Sequence, residues 1–180
     1  LGVLSFEDPD PPRMRWLAVS GEHTLPPSGH EAWMPGTDQM VFSTRMDEAR
    51  NGNLWQVGVD DPRPQIVVHN HSYIGHVALS ACGRFWLGDG YHEPTTPLYL
   101  GRLGTPKYRR LLDTHTGYRG KQVDHTHPYF THDGRWVVFG SSRSGRPEVY
   151  GARLREDFMA SLADGGPPRE RPQPVTCCPS

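Results

Sequence analysis

One pattern recurs three times in this chain and limits its fold more than any other feature. The segments run His30-Glu-Ala-Trp-Met-Pro-Gly-Thr-Asp-Gln-Met-Val-Phe-Ser43, His76-Val-Ala-Leu-Ser-Ala-Cys-Gly-Arg-Phe-Trp-Leu-Gly88 and His127-Pro-Tyr-Phe-Thr-His-Asp-Gly-Arg-Trp-Val-Val-Phe-Gly140. Each holds a histidine, a short strand, a polar glycine turn, and an apolar strand ending in a small residue. The turns Ala81-Cys-Gly83 and His132-Asp-Gly134 carry glycine where a hairpin needs a left-handed backbone. Starts at 30, 76 and 127 give a period of about 46 to 51 residues, the range of propellers and solenoids. A second pair of strands follows each hairpin: Leu54–Val59 with Gln65–Val68, then Leu98–Leu100 with Tyr108–Leu112. In the third unit only Glu148–Leu154 is clear. Four antiparallel strands per unit make a propeller blade.

The expected fold is therefore all-β, a β-propeller of about three blades plus part of a fourth. Residues 1–20 supply the partial blade, with Met14–Val19 its clearest strand. Twenty glycines and 18 prolines, without a long Ala-, Leu-, Glu- and Lys-rich stretch, agree with strands joined by turns. Residues 1–163 are expected to form this partial propeller, with a short helix at Asp157–Ala163. The Pro- and Arg-rich residues 164–180 are expected to be a disordered tail. Propellers close as rings of about four to eight blades, and the chain has no initiator Met. Both point to a fragment of a longer propeller whose missing blades are needed.

A net charge of −1 offers no basic excess for phosphate contacts, which argues against nucleic acid. No run approaches the ~18 apolar residues of a membrane span. The apolar start Leu1–Phe6 lacks a basic n-region and reads as a strand. Three cysteines make no disulfide framework. A reducing, cytoplasmic compartment is the expectation, with metal capture by Cys177-Cys178 as the alternative.

Ten histidines are many for a chain of this length. Gln122, His125 and His127 are the candidate metal ligands, because residues i and i+2 of a strand face the same side. His76 opens the preceding unit at the equivalent position, so a ring would bring it to the same centre. In the opposing reading, each histidine satisfies a backbone carbonyl at a blade start. The residue types leave the metal open: imidazoles suit Zn, Fe, Ni or Cu, and oxygen ligands suit Mn. His69 and His71 share the i, i+2 spacing but sit at a strand end. His132 lies in a hairpin turn, and His23, His92 and His115 in loops. His30 either caps its blade or acts as a base.

Gly29-His-Glu-Ala-Trp-Met-Pro35, His76 followed by Gly88-Asp-Gly90, and Gln122-Val-Asp-His-Thr-His-Pro128 resemble successive signatures of the oligogalacturonate lyases. The resemblance covers residues 3–155, about the C-terminal half of a full family member. It implies a seven-bladed propeller that cleaves short pectin-derived oligosaccharides by β-elimination with manganese bound. It implies His30 as the base and His76, Gln122, His125 and His127 as manganese ligands. Arg13-Met14 and Gly21 fit a further family segment, which implies Arg13 as the clamp on a substrate carboxylate; Arg15 competes for that role. The chain departs from the family at Ser5-Phe-Glu-Asp-Pro9, where a Cys-His-Glu-Gly-Pro-like stretch is usual.

The implied chemistry is physically coherent. In a uronic acid the C5 proton is α to the carboxylate, and a neutral imidazole with a pKa near about 6.5 can remove it. Charge then grows on the carboxylate, where a cation stabilises it. Two other classes compete. A non-catalytic TolB-like propeller would be a protein-binding module with no reason to gather these histidines. A peptidase cap would accompany a Gly-x-Ser-x-Gly elbow, which is absent; Gly140-Ser-Ser-Arg-Ser-Gly145 has the wrong spacing.

Overall fold

The computed structural model describes residues 2–5, 13–17, 24–61, 63–70, 72–117 and 124–163. Within them the chain runs through antiparallel sheets in sequence order. Strands β1 (Gly2–Ser5) and β2 (Arg13–Trp16) form a two-stranded sheet. A four-stranded meander follows: β3 (Pro27–Trp33), β4 (Gln39–Asp47), β5 (Gly52–Gly58) and β6 (Gln65–Val68). A second consists of β7 (Ile74–Leu79), β8 (Phe85–Gly90), β9 (Pro97–Arg102) and β10 (Tyr108–Asp113). The last sheet has β11 (Tyr129–Phe130), β12 (Trp136–Ser141) and β13 (Glu148–Arg153), then helix α1 (Glu156–Ala163).

Most strand boundaries shift by a residue or two from the sequence reading. The strand expected over Met14–Val19 begins one residue earlier, as Arg13–Trp16; Leu17 leaves it to become buried, and Ala18 and Val19 lie outside the described residues. The helix starts one residue early, with Glu156 and Asp157 both in the first turn, where carboxylates complement the helix dipole. The expected tail, 164–180, lies outside the described residues. The turn glycines behave as anticipated: Gly83 and Gly134 both have φ near 65°.

The sheets stack face to face, and their middle strands show why. Met40 and Phe42 of β4 join Leu17, Trp55 and Val57 against the first sheet. Val41 turns the other way and meets Leu54, Val68, Ile74 and Trp86. On β8, Trp86 packs back towards that cluster, while Phe85 and Leu87 pack forward with Leu98, Leu100, Val137 and Phe139. Strands covered on both faces read as unbroken apolar runs rather than as alternation. Leu154, Met159 and Leu162 bring α1 into the last cluster. Gly101 stands opposite Trp86, and a Cβ there would come within 2.4 Å of the indole. Buried Asn53 bridges the two four-stranded sheets. Its amide donates to the Ile74 carbonyl at 2.8 Å, and its oxygen accepts from the Ile74 N–H at 3.1 Å. That fixes the start of β7, two residues before His76.

Candidate metal centre and its histidines

The first strand of each unit is an edge strand of its sheet, and β3 and β11 both lie against β7. In each unit the backbone is irregular where the histidine sits. Between Pro27 and Glu31 the pairing of β3 with β4 slips, with Gly29 at φ 86° beside His30. The Ser28 hydroxyl pins this bulge to Ser43, accepting from or donating to its hydroxyl at 2.6 Å. Between Ile74 and Val77 the pairing of β7 with β8 slips again, at Gly75-His76. His127, just before β11, has φ 36°, a left-handed conformation rare for a non-glycine residue. Bulges of this kind re-aim side chains, and such backbone strain concentrates at functional sites.

The sequence reading placed His125 and His127 on one strand. The structure instead puts both in the irregular segment that leads into β11. They still converge, because the left-handed turn at His127, not strand alternation, brings the rings together. Their rings stack at 5.5 Å, and His76 lies 5.1 Å from His125 and 4.1 Å from His127. One nitrogen from each of the three falls within 4.8 Å of the others, so all three can face a single ion. His76 is buried, His125 half-buried and His127 exposed, which leaves the cluster open on the His127 side. The segment is backed by Gly140, whose N–H donates to the Thr126 carbonyl at 2.7 Å. Thr116 holds its start by donating to the Asp124 carbonyl at 3.0 Å.

His76 donates from Nδ1 to Asp89 at 2.7 Å, which turns Nε2 towards His125 Nδ1, 3.2 Å away. A ligating histidine that gives its other N–H to a carboxylate is the usual arrangement of a metal centre. Tyr91 packs edge-on against His76 and His125. The donor set therefore fits a divalent ion held by imidazoles. Gln122, the fourth candidate ligand, lies outside the described residues.

His30 stands beside this cluster, its ring 4.3 Å from that of His76 and 6.2 Å from that of His127. Its Nδ1 is buried and has no hydrogen-bond partner among the described residues. Burial lowers its pKa below the usual imidazole value, and the neighbouring His76 lowers it further, against a partial opposing pull from Asp89 and Glu31. His125 and His127 are shifted the same way, by burial first and then by His76. All three rings are thus biased towards the neutral form, which can ligate a metal or accept a proton.

Arg13 opens β2 opposite Ser5, but its side chain, like that of Arg15, lies outside the described residues. The remaining histidines stand apart from the cluster. His69 is exposed, with Nδ1 3.1 Å from the Arg50 carbonyl. His92, which contacts Tyr73 and Tyr91, is exposed, as are His115 and His132. His23 and His71 lie outside the described residues. Sequence reasoning gave no role to Asp89 or Thr126. Asp89 stood in plain view within Gly88-Asp-Gly90, but nothing local says that it faces a histidine thirteen residues earlier.

No family model matches the chain. An oligogalacturonide lyase of Pectobacterium atrosepticum is 25% identical over 145 residues, covering 69% of this chain and 36% of the relative. The chain thus spans a little over a third of that relative's length. Among solved structures, oligogalacturonate lyase from Vibrio parahaemolyticus matches with a TM-score of 0.62 and 21% identity, over 81% of this chain and 40% of that one. A putative TolB from Agrobacterium tumefaciens matches with a TM-score of 0.59 and 19% identity, over 79% and 47%. The sequence similarity is a resemblance to oligogalacturonate lyases, and the likeness in structure shows the fold, an antiparallel β-propeller.

Proposed function

We propose that this chain carries the metal- and base-bearing blades of a lyase that cleaves short oligogalacturonides by β-elimination. The observation that carries the reading is the convergence of four histidines from three successive units: three within reach of one ion, and His30 beside them with a buried, unpartnered nitrogen. A protein-binding propeller has no use for such a cluster, although the TolB likeness is equally consistent with the fold.

In this reading His76, His125, His127 and Gln122 hold a divalent ion, with manganese as the assignment drawn from the resemblance. When bound, the ion stabilises negative charge on the substrate carboxylate. His30 accepts the C5 proton, the electron pair left at C5 forms the C4–C5 double bond, and the C4–oxygen bond breaks with its pair going to the departing oxygen, which takes a proton from water. Neutral His30 suits this role, because a base must be unprotonated at the working pH, and burial favours that state. Arg13 clamps a substrate carboxylate with two parallel hydrogen bonds. The remaining blades of the ring, supplied by the rest of the protein, complete the substrate cleft.

The test is product analysis with a short oligogalacturonide and Mn(II), using the protein with its full complement of blades. Elimination generates an unsaturated, ultraviolet-absorbing product, at least transiently, and hydrolysis generates none. His30→Asn should lower the rate by about 10²–10⁴-fold while metal binding survives. New reducing ends without unsaturation, or full activity in His30→Asn, would show the reading to be wrong.

A further inference from the structure

We propose that Asp89 is a positioning residue for the metal centre: it sets the tautomer of His76 and, through Thr126, holds the His125–His127 segment in register with it. This rests on the reading of those three histidines as ligands. Asp89 lies on β8, fully buried at 0% exposure, and its two oxygens are shared between two units of the fold. Oδ1 accepts the backbone N–H of His76 at 2.9 Å. Oδ2 accepts His76 Nδ1 at 2.7 Å and also the hydroxyl of Thr126. A carboxylate offers only acceptors, so the proton of neutral His76 resides on Nδ1 and the lone pair on Nε2. Nε2 is the nitrogen that faces His125.

The surroundings are shaped to this carboxylate. A Cβ at position 75 would approach Asp89 Oδ1 to 2.6 Å, so glycine there leaves room for the acceptor and for the bulge that carries His76. Thr126 lies between the two histidines of the irregular segment and is itself buried. Its side chain meets Asp89, while those of its neighbours meet His76. One carboxylate thus orients a ligand of its own sheet and anchors the segment bearing the other two.

The experiment reads that tautomer. In metal-free protein labelled with ¹⁵N, long-range proton–nitrogen correlations report which nitrogen of His76 carries the proton. The expected result is Nδ1–H in the native protein. In Asp89→Asn the amide oxygen must serve the His76 backbone N–H, a donor that cannot change, and the amide NH₂ then faces Nδ1. His76 should switch to Nε2–H, closing the ligand lone pair. Free Mn(II), measured by electron paramagnetic resonance, should show about 10- to 100-fold weaker binding, the usual cost of removing such a partner. Thr126→Val should keep the Nδ1–H tautomer and weaken Mn(II) binding by less. Nε2–H in the native protein, a measurement that depends on no variant, would overturn the proposal. So would an Asp89→Asn protein with an unchanged tautomer and native Mn(II) affinity. Native protein with the Nδ1–H tautomer but no Mn(II) binding would uphold the role of Asp89 in setting the tautomer and remove the metal reading instead.

Discussion

Replacing Gly140 with alanine puts a methyl group where the ligand-bearing segment leaves no room. The added Cβ would stand 2.7 Å from the His125 carbonyl oxygen and 3.5 Å from that of Thr126, both backbone atoms. Restoring ordinary contact near 3.4 Å requires the carbonyl to move by about 0.7 Å. Metal–ligand distances hold to within about ±0.2 Å, so the displacement exceeds what the centre can absorb without losing a ligand. Overpacking of this kind costs about 1–3 kcal/mol of stability. At roughly 2–4 °C per kcal/mol for a chain of this size, the Tm should fall by several degrees. Gly104→Ala is the control. That glycine has φ 73° and open space around it, so alanine costs about 1–2 kcal/mol of backbone strain with the ligand segment untouched. Paired melts and Mn(II) titrations should give comparable destabilisation in both variants, with affinity reduced about tenfold or more only in Gly140→Ala. Native affinity in Gly140→Ala, or an equal loss in Gly104→Ala, would refute the reasoning.

Three further outcomes follow from the same centre. Burial depresses the pKa of His30, His125 and His127 below 6.5. The unfolded chain therefore binds more protons, and their contribution is full above about pH 6.5 and lost as pH falls through that value towards the folded-state pKa values. The Tm of metal-free protein should decline between about pH 7 and pH 5, and removing the three imidazoles should flatten that slope. His125→Ala with His127→Ala should abolish metal binding, read as stoichiometry in the purified protein; unchanged metal content would remove the site. Arg13→Ala should raise KM and lower kcat together, because a carboxylate clamp holds the substrate in the ground state and binds more tightly as charge grows on the carboxylate in the transition state; an effect confined to Arg15→Ala would transfer the role to that neighbour.

The fold was legible because its signals are local. Glycines at 83 and 134 mark tight turns, and the apolar runs at β4 and β8 mark strands covered on both faces. The histidines at 30, 76 and 127 were legible from their common position in the repeat. Their means of convergence was not. Strand alternation anticipated the approach of His125 and His127 through a conformation that they do not adopt, since φ at His127 is left-handed. The bulges at His30 and His76 also escaped, because a slip in pairing is a property of two strands and neither sequence alone records it. Asp89 was hidden for a related reason: its partner Thr126 lies 37 residues away, in the irregular segment that leads into another sheet.

That separation also governs when the centre can exist. The contacts between Asp89 and Thr126 and between His76 and His125 span 37 and 49 residues, whereas each meander closes through neighbouring hairpins. Non-local contacts of this length form after local ones, so the centre assembles only once two finished sheets have docked. An ion bound there acts on a contact absent from the earlier, locally folded states. An ion held there would slow unfolding and leave the folding rate unchanged, a latch that would delay the parting of adjacent blades.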